Sequence, residues 1–189
     1  MLTDIRNIEH EAADGTSKHS HAVQAQLIPD YKKKLKAFFD DLQERFDGTK
    51  YGSNREAWFI GEEGTCGDYV FTGNKIPLQS DYKSWIWEFG RELFKLTGRP
   101  LDKQKLVAFI PHYSPGSCCN VHQDNEPLMR DDWIVSVSTG CEVEFKFGSN
   151  KKSMLSTKLS DLSVFAMSRF LYHGVPKVDG YRWNITFRC

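Results

Sequence analysis

The sequence predicts an α+β fold: a double-stranded β-helix, or jelly roll, with N-terminal helices packed on one of its sheets. Two observations carry that prediction. Helical spacing of apolar residues is confined to two stretches before residue 105, and from Lys105 onward short strands alternate with turns. Several short strands at such spacing suggest a sandwich or a jelly roll.

The first helix is predicted in IPDYKKKLKAFFDDLQERF, where Leu35, Phe38, Phe39, Leu42 and Phe46 recur at helical spacing and Pro29-Asp30 supplies a start. Lys32, Lys33, Lys34 and Lys36 form its wet face, with phosphate contact as the other reading. The second helix is predicted in SDYKSWIWEFGRELFKLTG, with Trp85, Phe89, Leu93 and Leu96 on one side and Gly98 as a stop before Pro100. Between them, glycines bracket a short aromatic strand, Tyr69 to Phe71. The β half reads as KLVAFIPHY, SCCNVHQD, WIVSVST, EVEFKF, MLSTKL, LSVFAM and YRWNITFR. Residues 1–27 are polar without clear periodicity and read as an extension, 28–104 as a helical support segment and 105–189 as the β core. Residues 28–189 then make one domain.

Composition narrows the function classes. The 189 residues are 40% hydrophobic and 13% aromatic, which suits a globular core, and the formal net charge of zero gives no global attraction to nucleic acid. A nucleic-acid substrate therefore needs a local basic patch. The start, MLTDIRNIEHEAADG, is polar and acidic, and no apolar run approaches the roughly 20 residues that span a bilayer. The expectation is an intracellular protein, cytoplasmic or nuclear, with no membrane attachment and no obligate protein partner. Five cysteines, odd in number and without C-x-x-C spacing, argue against a disulfide scaffold or a zinc ribbon. The pair Cys118-Cys119 reads as two small residues opening a strand.

Chemistry concentrates in the β half. In His122-Gln123-Asp124, strand alternation turns an imidazole and a carboxylate to one side and Gln123 to the other. His173 in RFLYHGVP offers a third ligand, and two histidines with one carboxylate on one face of a metal leave the opposite positions open. Alone, an H-x-D pair is a weak signal, since it also arises by chance or as a structural hydrogen bond. The last strand adds to it: Arg182, Asn184, Thr186 and Arg188 share one face, and Trp183, Ile185 and Phe187 the other. Burying two guanidiniums calls for an anionic partner such as a dicarboxylate. An edge strand with a solvated polar face is the competing reading.

Taken in order, HYSPG (112–116), HQDNEP (122–127), WIVSVSTG (133–140), FKFG (145–148), SRFLYHGV (168–175) and RWNITFR (182–188) resemble the AlkB family of Fe(II)/2-oxoglutarate dioxygenases. RWNITFR matches the family's R-x-N-x-T-x-R signature at every fixed position. The resemblance implies that His122, Asp124 and His173 ligate Fe(II), and that Arg182 and Tyr113 bind the distal carboxylate of 2-oxoglutarate. Asn184 and Arg188 line the same pocket. It further implies consumption of O2 and 2-oxoglutarate, with release of succinate and CO2. An N-methyl group on DNA or RNA leaves as formaldehyde, the chemistry of DNA repair and RNA demethylation. Residues 28–104 would include the nucleotide-recognition segment, with Tyr69, Phe71 and Trp58 as candidate rings around a flipped base and Glu126 as a base-reading acid. One departure is Pro111, where the family often has asparagine. The same oxidation of a protein or small molecule, a catalytically idle binding barrel and a non-oxidative metal hydrolase are the competing functions; the last two give no role to the arginine strand.

Overall fold

The computed structural model describes residues 1–9, 21–51, 55–65, 68–71, 74–79, 82, 84–96, 98, 101, 105–124 and 132–189. The first half of the chain runs β1 (Leu2–Glu9), β2 (His21–Leu27), α1 (Asp30–Arg45), β3 (Thr49–Tyr51), β4 (Arg55–Gly61), β5 (Asp68–Phe71), β6 (Asn74–Pro77) and α2 (Ile86–Leu96). Then follow β7 (Val107–Tyr113), β8 (Cys119–His122), β9 (Trp133–Gly140), β10 (Val143–Gly148), β11 (Leu155–Leu159), β12 (Ser163–Ser168), β13 (Tyr172–Val175) and β14 (Arg182–Arg188). One sheet has the order β1-β2-β12-β9-β14-β7-β4-β3, a second has β11-β10-β13-β8, and β5 and β6 form a separate hairpin.

Among the described residues, strand alternation builds two large cores against the large sheet. Trp183, Ile185 and Phe187 of β14, with Trp58 and Ile60 of β4, join Leu35, Phe39 and Leu42 of α1 and Phe89 and Leu93 of α2 in one cluster. Phe39 stacks on Trp183 with ring centroids 4.5 Å apart, and Phe89 meets Phe187 edge-on at 6.2 Å. Each such buried side chain contributes roughly 1.5–3 kcal/mol. The second core lies between the sheets, where Tyr113, Ile134, Phe165 and Met167 face Phe145 and Phe147. On the helix side His112 stacks on Trp183 at 4.2 Å, so it turns away from Tyr113 as strand alternation requires.

Both predicted helices are present. In α1, Leu35, Phe38, Phe39 and Leu42 are buried, and the chain turns extended at Phe46. In α2, Phe89 and Leu93 are buried as expected, but Trp85 precedes the helix and is 37% exposed. Ile86 and Phe94 fill the inner positions instead. Gly98, at φ +75°, ends the segment in the left-handed region that glycine tolerates.

Three expectations need correction. Residues 21–27 are not an extension: β2 pairs with β12 inside the large sheet, and Ala22, Val23, Ala25 and Leu27 are buried. Gln24 hides this strand from a hydropathy reading, because its amide is buried yet satisfied by the Lys158 carbonyl at 2.9 Å and the Thr157 hydroxyl at 2.7 Å. Residues 55–61, placed within the helical support segment, instead form β4 and pair with β7 along their length. The short strand β13, absent from the predicted set, carries His173. No helix among the described residues is long and apolar enough to cross a membrane.

Candidate active site

His122 closes β8, Asp124 follows two residues on, and His173 on β13 stands in register with His122. The ladder shifts beyond His173, where Gly174 passes close to β8. A Cβ there would lie 3.1 Å from the Cys119 carbonyl oxygen and 3.2 Å from the Val121 nitrogen. A side chain at Gly174 would therefore press the two ligand-bearing strands apart.

The three side chains converge. His122 Nε2 is 3.4 Å from Asp124 Oδ1, His173 Nε2 is 3.5 Å from Asp124 Oδ2, and ligand atoms of all three lie within 4.8 Å of one another. Nδ1 of His122 is 2.8 Å from the Asn120 carbonyl oxygen, and Nδ1 of His173 is 3.0 Å from that of Leu171. Carbonyl oxygens only accept, so each Nδ1 carries a proton and each Nε2 is the nitrogen presented to a metal.

The donor set fits a divalent cation. Asp124 is 1% exposed; its Oδ2 accepts a hydrogen bond from Arg188 Nη2 at 2.9 Å, while Oδ1 accepts none among the described residues. Burial opposes its ionisation, yet Arg188 and then His173 hold the carboxyl well below its usual range. Burial also disfavours the His122 imidazolium, but Asp124 and Cys119 outweigh it and push the pKa up to about 10. A bound metal takes the place of that proton.

β14 lies between β9 and β7, which excludes the edge-strand reading. Arg182, Thr186 and Arg188 are buried on the face that looks between the sheets. Arg182 Nη1 donates to the carbonyls of Cys141 at 2.7 Å and Leu159 at 3.2 Å, and no carboxylate lies within ion-pair distance of it among the described residues. Burial lowers its pKa, offset in part by Cys141 and Tyr113. Tyr113 is its cross-strand neighbour on β7. Gly140, at φ +97°, lets the β9 turn reach this strand: a Cβ there would lie 2.3 Å from the Tyr181 carbonyl oxygen. Asn184 accepts from Ser138 Oγ and donates to Thr186 Oγ1, each at 2.9 Å. By register it faces Pro111, which has no N–H to give the ladder, and the β7–β14 pairing skips that pair and the next, Ile185 with Ile110.

Against known proteins, the sequence profile of the 2OG-Fe(II) oxygenase superfamily matches residues 9–188. The chain belongs to that superfamily. Iron(II), 2-oxoglutarate and O2 are the reactants that this oxygenase family uses, and the His-Asp-His cluster suits the metal. The oxygenase is 36% identical over 96 residues to the alpha-ketoglutarate-dependent dioxygenase AlkB of Salmonella typhimurium, covering 43% of this chain and 44% of that protein. It is 37% identical over 101 residues to AlkB of Escherichia coli, covering 46% of each. These alignments thus span less than half the length of the curated relatives. Among solved structures, OsALKBH1 superposes with a TM-score of 0.67 at 15% identity, over 88% of this chain and 96% of that one. A Pseudomonas putida prolyl-4-hydroxylase gives 0.61 at 11% identity, over 94% and 95%. Likeness at such low identity shows the shared jelly-roll fold.

A residue that sequence reasoning gave no role is Gln123. Its side chain turns away from the metal ligands, as alternation predicted, and its amide donates to the carbonyl of Phe170 in the turn before His173. Alongside it, the Asp124 N–H donates to the Arg169 carbonyl at 3.0 Å. Gln123 thus fastens the segment carrying His122 and Asp124 to the segment carrying His173. We expect Gln123→Ala to weaken Fe(II) binding about 10–100-fold, the usual effect of losing a group that orients metal ligands. Metal-competition titration checks this, and wild-type affinity would remove Gln123 from that role.

The substrate-side residues fall into three groups. Trp58 is not at the site: it is buried on the helix side of β4, beside Trp183, with its indole N–H donating to the Phe46 carbonyl at 2.8 Å. That corrects its assignment as a substrate ring. Its neighbour Phe59 occupies the opposite face and packs on Phe109, centroids 5.0 Å apart, and Phe109 lies 5.5 Å beneath the Arg188 guanidinium. Tyr69 and Phe71 lie on β5, whose partner strand β6 sets Ile76, with Leu78 beyond it, against Phe59 and Phe109. Gln79 ties the hairpin to β4 through two backbone hydrogen bonds, with Phe59 at 2.9 Å and Gly61 at 3.0 Å. Glu126 lies outside the described residues.

Proposed function

We propose that this oxygenase oxidatively removes methyl groups from ring or exocyclic nitrogens of nucleobases in single-stranded DNA or RNA, releasing formaldehyde, succinate and CO2. The observation that carries the reading is the 36–37% identity with AlkB proteins over part of the chain, beside a family profile that spans residues 9–188. Its support on the substrate side is the β5–β6 hairpin, anchored to the Phe59–Phe109 shelf next to Arg188.

His122, Asp124 and His173 hold the iron, and Arg188 keeps the Asp124 carboxylate ionised and oriented within a buried site. Arg182, with the Tyr113 phenol, takes the distal carboxylate of 2-oxoglutarate, and Asn184 with Arg188 lines the remainder of that pocket. Iron with this cosubstrate supplies the oxidation: one oxygen atom of O2 enters the carboxyl of succinate and the other enters a C–H bond of the substrate. A hydroxylated N-methyl group then breaks its C–N bond, giving formaldehyde and the free base nitrogen. Tyr69 and Phe71 are the rings assigned to hold the extruded base, with Glu126 reading its edge.

The test is formaldehyde release from single-stranded DNA and RNA oligonucleotides carrying 1-methyladenine or 3-methylcytosine, with Fe(II), 2-oxoglutarate and O2. Formaldehyde in step with succinate is the expected result. Succinate without formaldehyde from any of these oligonucleotides would move the assignment to a protein or small-molecule substrate.

A further inference from the structure

Arg55 opens β4 and stands across from Tyr113 on β7, which in turn stands across from Arg182 on β14. Cross-strand partners share a face of the sheet. Arg55, Tyr113 and Arg182 therefore form one row on the side that looks toward the metal site. The Arg55 guanidinium lies 5.8 Å from the centre of the Tyr113 ring. Its Nη1 donates to the Cys118 carbonyl at 3.4 Å, reaching from the large sheet to the start of β8 in the small one. The phenol thus stands between two arginines in one cross-strand row.

We propose that Arg55 is a further cosubstrate-binding residue, a second guanidinium that grips the distal carboxylate of 2-oxoglutarate together with Arg182 and Tyr113. The inference rests on the reading that Arg182 and Tyr113 hold that carboxylate. Donor supply argues for it. A carboxylate offers about four acceptor positions, and an arginine carries five N–H donors. Arg182 already spends its Nη1 on the carbonyls of Cys141 and Leu159, so one edge of its fork remains for a ligand. That edge and one phenol leave the carboxylate short of donors, a costly state wherever water does not replace them. Arg55, on the far side of Tyr113, supplies the missing ones. Electrostatic coupling fits the same grouping: burial raises the Tyr113 pKa, and Arg55 and Arg182 both act to lower it.

The experiment compares two ligands on the Mn(II)-loaded full chain by calorimetry: 2-oxoglutarate, and pyruvate, which keeps the 2-oxo acid end and lacks the distal carboxylate. Arg55→Met is expected to weaken 2-oxoglutarate about tenfold, to leave pyruvate unchanged and to leave Mn(II) affinity unchanged. Arg55→Lys, which keeps the charge and loses the fork, should give a smaller loss and stands in should the methionine variant fail to fold. Arg182→Met serves as the reference. If Arg182→Met narrows the preference for 2-oxoglutarate over pyruvate and the Arg55 variants do not, the proposal fails while the pocket assignment stands. If neither replacement narrows it, the pocket assignment fails as well. Equal weakening of both ligands would reduce Arg55 to a structural brace. Loss of single-stranded oligonucleotide binding with unchanged 2-oxoglutarate affinity would assign Arg55 to substrate phosphates, and that too overturns the proposal.

Discussion

Asp124→Ala is expected to abolish iron binding and to destabilise the metal-free protein, two losses from one carboxylate. The first follows because Asp124 is the single carboxylate among the three residues that could hold the metal. Anaerobic Fe(II) with 2-oxoglutarate should give the wild-type chain a weak visible charge-transfer band, and the variant none. The second follows because Arg188, buried with it, loses the 2.9 Å hydrogen bond that balances its charge. Removing one partner of a buried ion pair costs about 3–5 kcal/mol. Urea unfolding of the metal-free proteins measures this. The pH dependence has a definite sign. The Asp124 carboxyl is held below its unfolded value, so its stabilisation is present above about pH 4 and disappears as pH falls through the depressed value. The gap between wild type and variant should therefore close in acid. An Asp124→Ala protein that unfolds like wild type at neutral pH would mean that Arg188 finds another counter-charge.

Arg182→Ala should raise the 2-oxoglutarate requirement about 100-fold, in line with loss of one or two charge-assisted hydrogen bonds in a buried pocket. Fe(II) affinity should change little, because Arg182 touches the Cys141 and Leu159 carbonyls and none of the three metal ligands. Titrating the charge-transfer band separately with iron and with 2-oxoglutarate resolves the two effects. Equal losses of both would contradict the role assigned to Arg182. The substitution also orphans two carbonyls, so its melting temperature needs recording beside the titrations.

The site was more legible in the sequence than the sheet that carries it. In R-x-N-x-T-x-R the period of two puts the polar residues on one face, and the family resemblance gives that face its role. The same period fails at REAWFIG, where Trp58 and Phe59 are both aromatic and nothing local says which faces the helices. Pairing of β4 with β7 decides it, and that pairing joins residues some fifty positions apart. β2 stayed hidden because Gln24 and Gln26 look like surface residues, whereas their amides are satisfied by carbonyls of Lys158 and Asp161. Gln123 and Arg55 escaped for a related reason. Each is placed by a hydrogen bond to a backbone carbonyl far along the chain, at Phe170 and Cys118, and such contacts leave no spacing signature.

The position of β14 also bears on how the molecule is put together in time. Every other strand of the large sheet precedes it in the chain, yet it lies between β7 and β9. Until it docks, those two strands present open edges to solvent, and Phe109, Val135 and Val137 lack their neighbour. Exposed edges of this kind invite pairing with other chains. The segment that brings the arginines is thus also the one that closes the sheet. Synthesis and refolding should be most prone to aggregation in the interval before residues 182–188 insert.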